Sequence, residues 1–180
     1  MKSKTRQDCE TAEALFAGAL MSLQSDIKNK RMLVVGVAGN PPTHNGKPGL
    51  DNPHWYPGYE ITTLDFDKKW NPDIVGDITK PLTWMDEPYD LVHITQVIEH
   101  IPNLWKLSEG LKLLLNENSY VIIDCPFGPN SPPYHAEPPS FGDYWRISKD
   151  GMRVLFEKNF DIIQIRDTDA NTSCLMKVKS

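Results

Sequence analysis

The sequence predicts an α/β fold: a doubly wound, mostly parallel sheet with an antiparallel C-terminal hairpin, in a single domain. Three observations predict it. Short strand-like runs recur along the chain, and the continuous apolar one at residues 32–37 has the length and β-branching of a strand buried on both faces. Segments with apolar residues at three- and four-residue spacing alternate with those runs. The 180-residue length fits one domain. Folding at that size buries roughly 68–70% of the unfolded chain's surface, so no metal or disulfide staple is required.

The elements follow in order. Residues 8–29 carry Leu15, Phe16, Ala19, Leu20, Leu23 and Ile27 on one stripe, which predicts a helix. Residues 1–30 are thus expected to form an N-terminal helix packing on the core, and residues 31–180 the α/β domain. Residues 32–37 form the first strand, 59–66 a second ending on acid, 73–76 a short third and 89–95 a fourth. The stretch between residues 66 and 88 leaves room only for small helices or none. A helix from Pro102 or Asn103 to about Leu115 buries Leu104, Leu107, Leu111, Leu114 and Leu115, with Lys106, Glu109 and Lys112 opposite. Asn116 and Asn118 tolerate positive φ in the turn that follows. Residues 119–125 are a fifth, buried strand. Ser148 reads as the N-cap of a helix through Lys158, with Asp150 in its first turn. Asn159 fits the left-handed position after it. Residues 160–166 and 173–178, joined by a polar connection, predict the final hairpin.

Composition removes several function classes. A net charge of −5 and a pI near 5.5 argue against a phosphate-backbone partner. No run approaches 18 apolar residues, so no transmembrane helix and no membrane partner are expected. Residues 12–23 lack a signal-peptide layout. Cys9, Cys125 and Cys174 show no paired spacing, which argues against a disulfide framework and favours a cytoplasmic setting. The five histidines show no metal-binding spacing, so no metal is expected, and His93 on its strand reads as a hydrogen-bonded core residue. The oligomeric state is open. Of 15 prolines, five fall between Pro41 and Pro57 and six between Pro126 and Pro139. Both clusters follow strands, at the carboxyl edge of the sheet, where stiff loops would wall a cleft.

Ligands of open α/β sheets bind at that edge, at the switch in strand order. The turn after Val37, Asp65 and the segment after Thr95 meet there. Gly36 and Gly39 permit close backbone approach, and Asp65 offers two acceptor oxygens to a ribose diol, with Asp67 as the fallback.

The motifs Leu33-Val-Val-Gly-Val-Ala-Gly39, Leu64-Asp-Phe-Asp67, Pro72-Asp-Ile-Val-Gly-Asp77, Tyr89-Asp-Leu-Val-His-Ile-Thr-Gln-Val-Ile-Glu-His-Ile-Pro102 and Asp143-Tyr-Trp-Arg146 resemble those of a class I S-adenosylmethionine-dependent methyltransferase. They run in family order from about residue 31 to 166, and they are most similar to the small methyltransferases associated with sugars and glycans. The chain departs from the pattern where Ala38 and Asn40 replace glycines and Val34 replaces an acid.

The resemblance implies a Rossmann-like fold, S-adenosylmethionine as cofactor and methyl transfer to a small molecule or glycan. It implies a cofactor site of Gly36, Ala38, Gly39, Asp65, Phe66, Asp77, Ile78 and Gln96, with Asp77 at the adenine amino group and Ile78 on the ring. A hydroxyl or amine acceptor must lose a proton. His100 and His135 are the candidate bases, although Glu99 and His100 could instead only cap the helix behind them. Asp143 and Arg146 are candidates for orienting the acceptor, or form an ion pair that pins their loop. Tyr144 and Trp145 either pack or form a sugar platform. The alternative, motivated by the altered glycine turn, is a non-catalytic binding or assembly protein that keeps the fold.

Overall fold

The structure, a computed structural model, describes residues 30–36, 59–80, 87–131 and 142–180. Seven strands form one sheet: β1 (Arg31–Val35), β2 (Glu60–Asp65), β3 (Ile74–Val75), β4 (Tyr89–Thr95), β5 (Leu115–Pro126), β6 (Phe160–Asp167) and β7 (Asn171–Val178). Their spatial order is β3-β2-β1-β4-β5-β7-β6. The first five pair in parallel, and β7 runs antiparallel to both β5 and β6. The predicted fold class holds, antiparallel hairpin included. The order reverses between β1 and β4, so the carboxyl ends of those two strands flank the crevice.

Alternation along the strands sets the two faces. Leu33, Val35, Val92, Ile94, Val121 and Ile123 belong to the larger core. Met32, Val34, Leu91, Tyr120 and Ile122 belong to a smaller one on the opposite face. The larger core takes up two helices, α1 (Leu104–Leu113) and α2 (Lys149–Phe156). Leu104, Leu107 and Leu111 of α1, and Met152, Leu155 and Phe156 of α2, are buried in it. At roughly 1.5–3 kcal/mol for each fully buried large side chain, this face supplies most of the drive for helix docking.

Both helix starts follow their caps. The Asn103 side chain accepts from Lys106 N at 3.4 Å, and Ser148 Oγ accepts from Gly151 N at 3.2 Å. Gly110 of α1 lies where an added Cβ would sit 2.9 Å from the Ile78 carbonyl, so only glycine lets the helix approach the residue 77–80 turn.

Two expectations are adjusted. Strand β5 begins at Leu115 rather than 119, because the Asn116–Asn118 segment is held as a bulge against β4: Tyr89 pairs with Leu115 and Leu91 with Tyr120. Asn118 takes the left-handed conformation there, with φ 71°. Asn159 does not take it; Asn159 N closes a turn on the Phe156 carbonyl, and its side-chain amide reaches Ser108 Oγ at 3.2 Å. The helix expected over residues 8–29, both bulky parts of the proline clusters, and His44, His54 and Cys9 lie outside the described residues.

His93 is the core residue expected. It is buried on β4, with Thr95 Oγ1 3.0 Å from its Nε2, and burial pushes its imidazole down to about 4. Cys125 and Cys174 are buried thiols, and burial pushes both up, away from nucleophilic use. Among the described residues no helix is long and apolar enough to cross a membrane, and no cluster of His, Cys, Asp and Glu has metal-site geometry.

Candidate functional site

Three adjacent strands end at one level. Val35 pairs with Leu64 on one side and Ile94 on the other, which puts Gly36, Asp65 and Thr95 side by side at the carboxyl edge. Gly36 has φ 81°, and its N–H donates to the Leu64 carbonyl at 2.9 Å. A Cβ there would stand 2.1 Å from Val97 Cγ2. The position therefore needs glycine twice over, for its backbone angle and for the closeness of the chain leaving β4.

Asp65 is buried, and its Oδ1 accepts from Asp67 N at 2.9 Å. Phe66 beside it is half exposed. Asp67 caps the 3-10 turn of residues 68–70, accepting from Lys69 N at 3.0 Å and pairing with Lys69 Nζ at 2.9 Å. The backbone hydrogen bond from Lys69 holds its carboxyl below the usual range. Asp65 is the acid that ends β2.

Asp77 opens a turn. Its Oδ1 accepts from Thr79 N at 2.9 Å and Thr79 Oγ1 at 2.7 Å, and Lys80 Nζ lies 3.3 Å from Oδ2. Burial pushes this carboxyl up, but the Thr79 and Lys80 bonds outweigh it and leave it below the ordinary range. Ile78 is buried in the larger core, under α1.

Gln96 has φ 55° and turns its side chain along the sheet end. Its Nε2 donates to Asp124 Oδ2 at 3.0 Å and to Asn171 Oδ1 at 3.4 Å, and its backbone N–H donates to the Asp124 carbonyl. Ser173 Oγ closes this buried network by donating to Asp124 Oδ1. The network fixes how the chain leaves β4. Ala38, Gly39 and His135 lie outside the described residues.

The two most specific sequence motifs meet in space. The 3-10 turn of residues 98–100 is lashed to residues 142–145 by three hydrogen bonds. His100 Nδ1 bonds the Gly142 carbonyl at 2.7 Å, Tyr144 N donates to the Glu99 carbonyl at 2.7 Å, and Trp145 Nε1 donates to the Ile101 carbonyl at 2.8 Å. Trp145 thereby packs against the core, whereas Tyr144 stays half exposed beside the turn. Arg146 grips Asp143 with a bidentate fork, Nη1–Oδ1 2.6 Å and Nη2–Oδ2 3.1 Å, while Nη1 also reaches the Trp145 carbonyl. Both side chains are largely withdrawn from solvent, with 15% and 8% exposure, which favours the pinning role.

A carbonyl oxygen can only accept, so His100 Nδ1 carries the hydrogen in that bond. The neutral ring then has its lone pair on Nε2, the arrangement a general base needs. The sequence reading missed Glu99 as a member of this site. It is 3% exposed, its Oε1 lies 3.7 Å from His100 Nε2, and its Oε2 has no hydrogen-bond partner. Burial is the main reason its carboxyl is pushed up to about 8, and the charges of Asp143 and Asp124 add to that. An acid set between two isoleucines, Ile98 and Ile101, was the available sign of burial.

No protein-family model and no curated protein matches the chain. Solved structures do. TehB from Haemophilus influenzae superposes with TM-score 0.55 and 12% identity, over 90% of this chain and 62% of its own. An S-adenosylmethionine-dependent methyltransferase from Clostridium acetobutylicum ATCC 824 gives TM-score 0.63 at 9% identity, covering 93% and 92%. The glycopeptide N-methyltransferase MtfA, complexed with S-adenosylmethionine, gives TM-score 0.63 at 12% identity, covering 93% and 94%. The present chain spans somewhat less than two thirds of TehB but nearly all of the other two. It has the fold of S-adenosylmethionine-dependent methyltransferases.

Proposed function

We propose that the chain transfers a methyl group from S-adenosylmethionine to a small-molecule or glycan acceptor. The observation that carries this reading is the level junction of Gly36, Asp65 and Thr95 at the switch point, beside Val97 of the chain that leaves β4. The adenosine half of the cofactor fits these residues. Gly36 carries the positive φ of the turn that leaves β1, the buried Asp65 carboxylate suits a ribose diol, and exposed Phe66 offers an apolar neighbour to a ring. Asp77 would meet an adenine amino group as a carboxylate already ordered by Thr79.

When bound, the cofactor supplies a methyl group on a sulfonium, which needs an aligned nucleophile more than an acid. His100 takes the proton that the acceptor's N–H or O–H loses, at Nε2. The Asp143–Arg146 pair holds residues 142–146 against that histidine. The acceptor class follows the sequence resemblance, the acidic net charge and the glycopeptide named for one fold neighbour. Calorimetric titration tests the reading. Saturable binding of S-adenosylmethionine is expected, with release of S-adenosylhomocysteine when soluble amino sugars or glycans are added. Absence of binding at millimolar cofactor overturns it.

A further inference from the structure

We propose that Glu99 is a positioning residue, held as a neutral carboxylic acid behind His100 so that the imidazole keeps its Nε2 lone pair for the acceptor's proton. The inference rests on the methyl-transfer reading for its purpose, but its structural basis is separate.

A buried carboxyl oxygen without a partner is rare, and it is costly when the group is charged. Glu99 Oε2 is such an atom, and Oε1 lies 3.7 Å from His100 Nε2, beyond a hydrogen bond but well within Coulomb reach. Five charged or titratable groups among the described residues are placed against Glu99. His100 stands on its own turn, Asp143 and Arg146 on the segment before α2, and Asp124 and Cys125 on β5. Two of these are carboxylates that oppose a third negative charge. The one guanidinium is committed to Asp143 through both terminal nitrogens. Uncharged Glu99 is the arrangement that this surrounding supports.

The consequence falls on His100. An ionised carboxylate at 3.7 Å would draw a proton onto Nε2 and occupy the base before the acceptor arrives. With Glu99 protonated, Nε2 stays a lone pair. In the proton step, the hydrogen leaves the acceptor's N–H or O–H for Nε2, and the electron pair of that bond remains on the acceptor atom. The imidazolium so formed then gives its Nε2 proton to solvent while Glu99 keeps its own, which restores the pair.

The test needs no acceptor. In the full-length protein, the His100 ring proton signals are followed by NMR against pH, assigned by their loss in His100→Asn. The wild type should show an inflection near pH 8, where Glu99 ionises, and Glu99→Gln should lack it. Infrared spectra of wild-type protein with labelled glutamate give a second readout free of any variant. A carboxylic-acid carbonyl band should persist above pH 7. Superimposable His100 curves in folded wild type and Glu99→Gln, or a band lost by about pH 5, overturn the proposal. S-adenosylmethionine binding measured on the same samples separates the two claims. Intact binding with an ordinarily ionised Glu99 defeats only this inference, whereas lost binding defeats the methyl-transfer reading.

Discussion

Asp65→Ala is expected to weaken S-adenosylmethionine binding roughly 100-fold or more. A carboxylate that accepts from both ribose hydroxyls makes two charge-assisted hydrogen bonds, each worth about 1.5–3 kcal/mol. Every 1.4 kcal/mol is about tenfold in affinity. Asp65→Ala also removes the acceptor of the Asp67 N–H, so circular dichroism on the same sample checks that the variant is folded. Asp65→Asn keeps the shape and one acceptor oxygen, so its loss should be smaller. Asp67→Ala is the control. Its carboxylate is spent on Lys69, and binding should stay within about twofold of wild type. Calorimetry on the three variants checks the order. Equal affinity in Asp65→Ala and wild type would remove Asp65 from the site.

The second large effect is on stability. Arg146→Met should cost about 3–5 kcal/mol, the usual penalty for stripping one partner from a buried ion pair. The site makes this severe. Asp143 would lose its partner at a side-chain exposure of only 8%, with the Glu99 carboxyl close by. Thermal unfolding should fall by on the order of 10 °C for a domain of this size. Arg146→Lys restores the charge without the planar fork and should lie between. The Asp143→Asn, Arg146→Met double variant should be less destabilised than Arg146→Met alone, since no uncompensated carboxylate remains. An unchanged melting curve for Arg146→Met would show that the guanidinium does not pin residues 142–146.

Much of the architecture was legible because local signals agreed with the tertiary outcome. The segment 89–95, read as the fourth strand, is strand β4 with the same ends. The Asn103 and Ser148 caps and the α1 leucine stripe were readable for the same reason. What stayed hidden depends on partners distant in sequence. Gln96 adopts a positive φ because Asp124 and Asn171, 28 and 75 residues away, hold its side chain. Asn159 looked suited to the left-handed region, yet a contact with Ser108 on another helix fixed it otherwise. The two site motifs were readable in order, but their lashing through Gly142, Tyr144 and Trp145 was not, and neither was the burial that this gives Glu99. Burial is conferred by whatever packs on top, and here that segment lies more than 40 residues further along the chain.

The central claim is that the carboxyl edge between β1, β2 and β4 binds S-adenosylmethionine. A crystal structure with S-adenosylhomocysteine tests it most directly. The claim predicts ribose hydroxyls on the Asp65 carboxylate, the ring beside Phe66, and the sulfur end directed toward the His100 turn. Ligand at any other place on the sheet, or crystals that stay empty at saturating ligand, would contradict it.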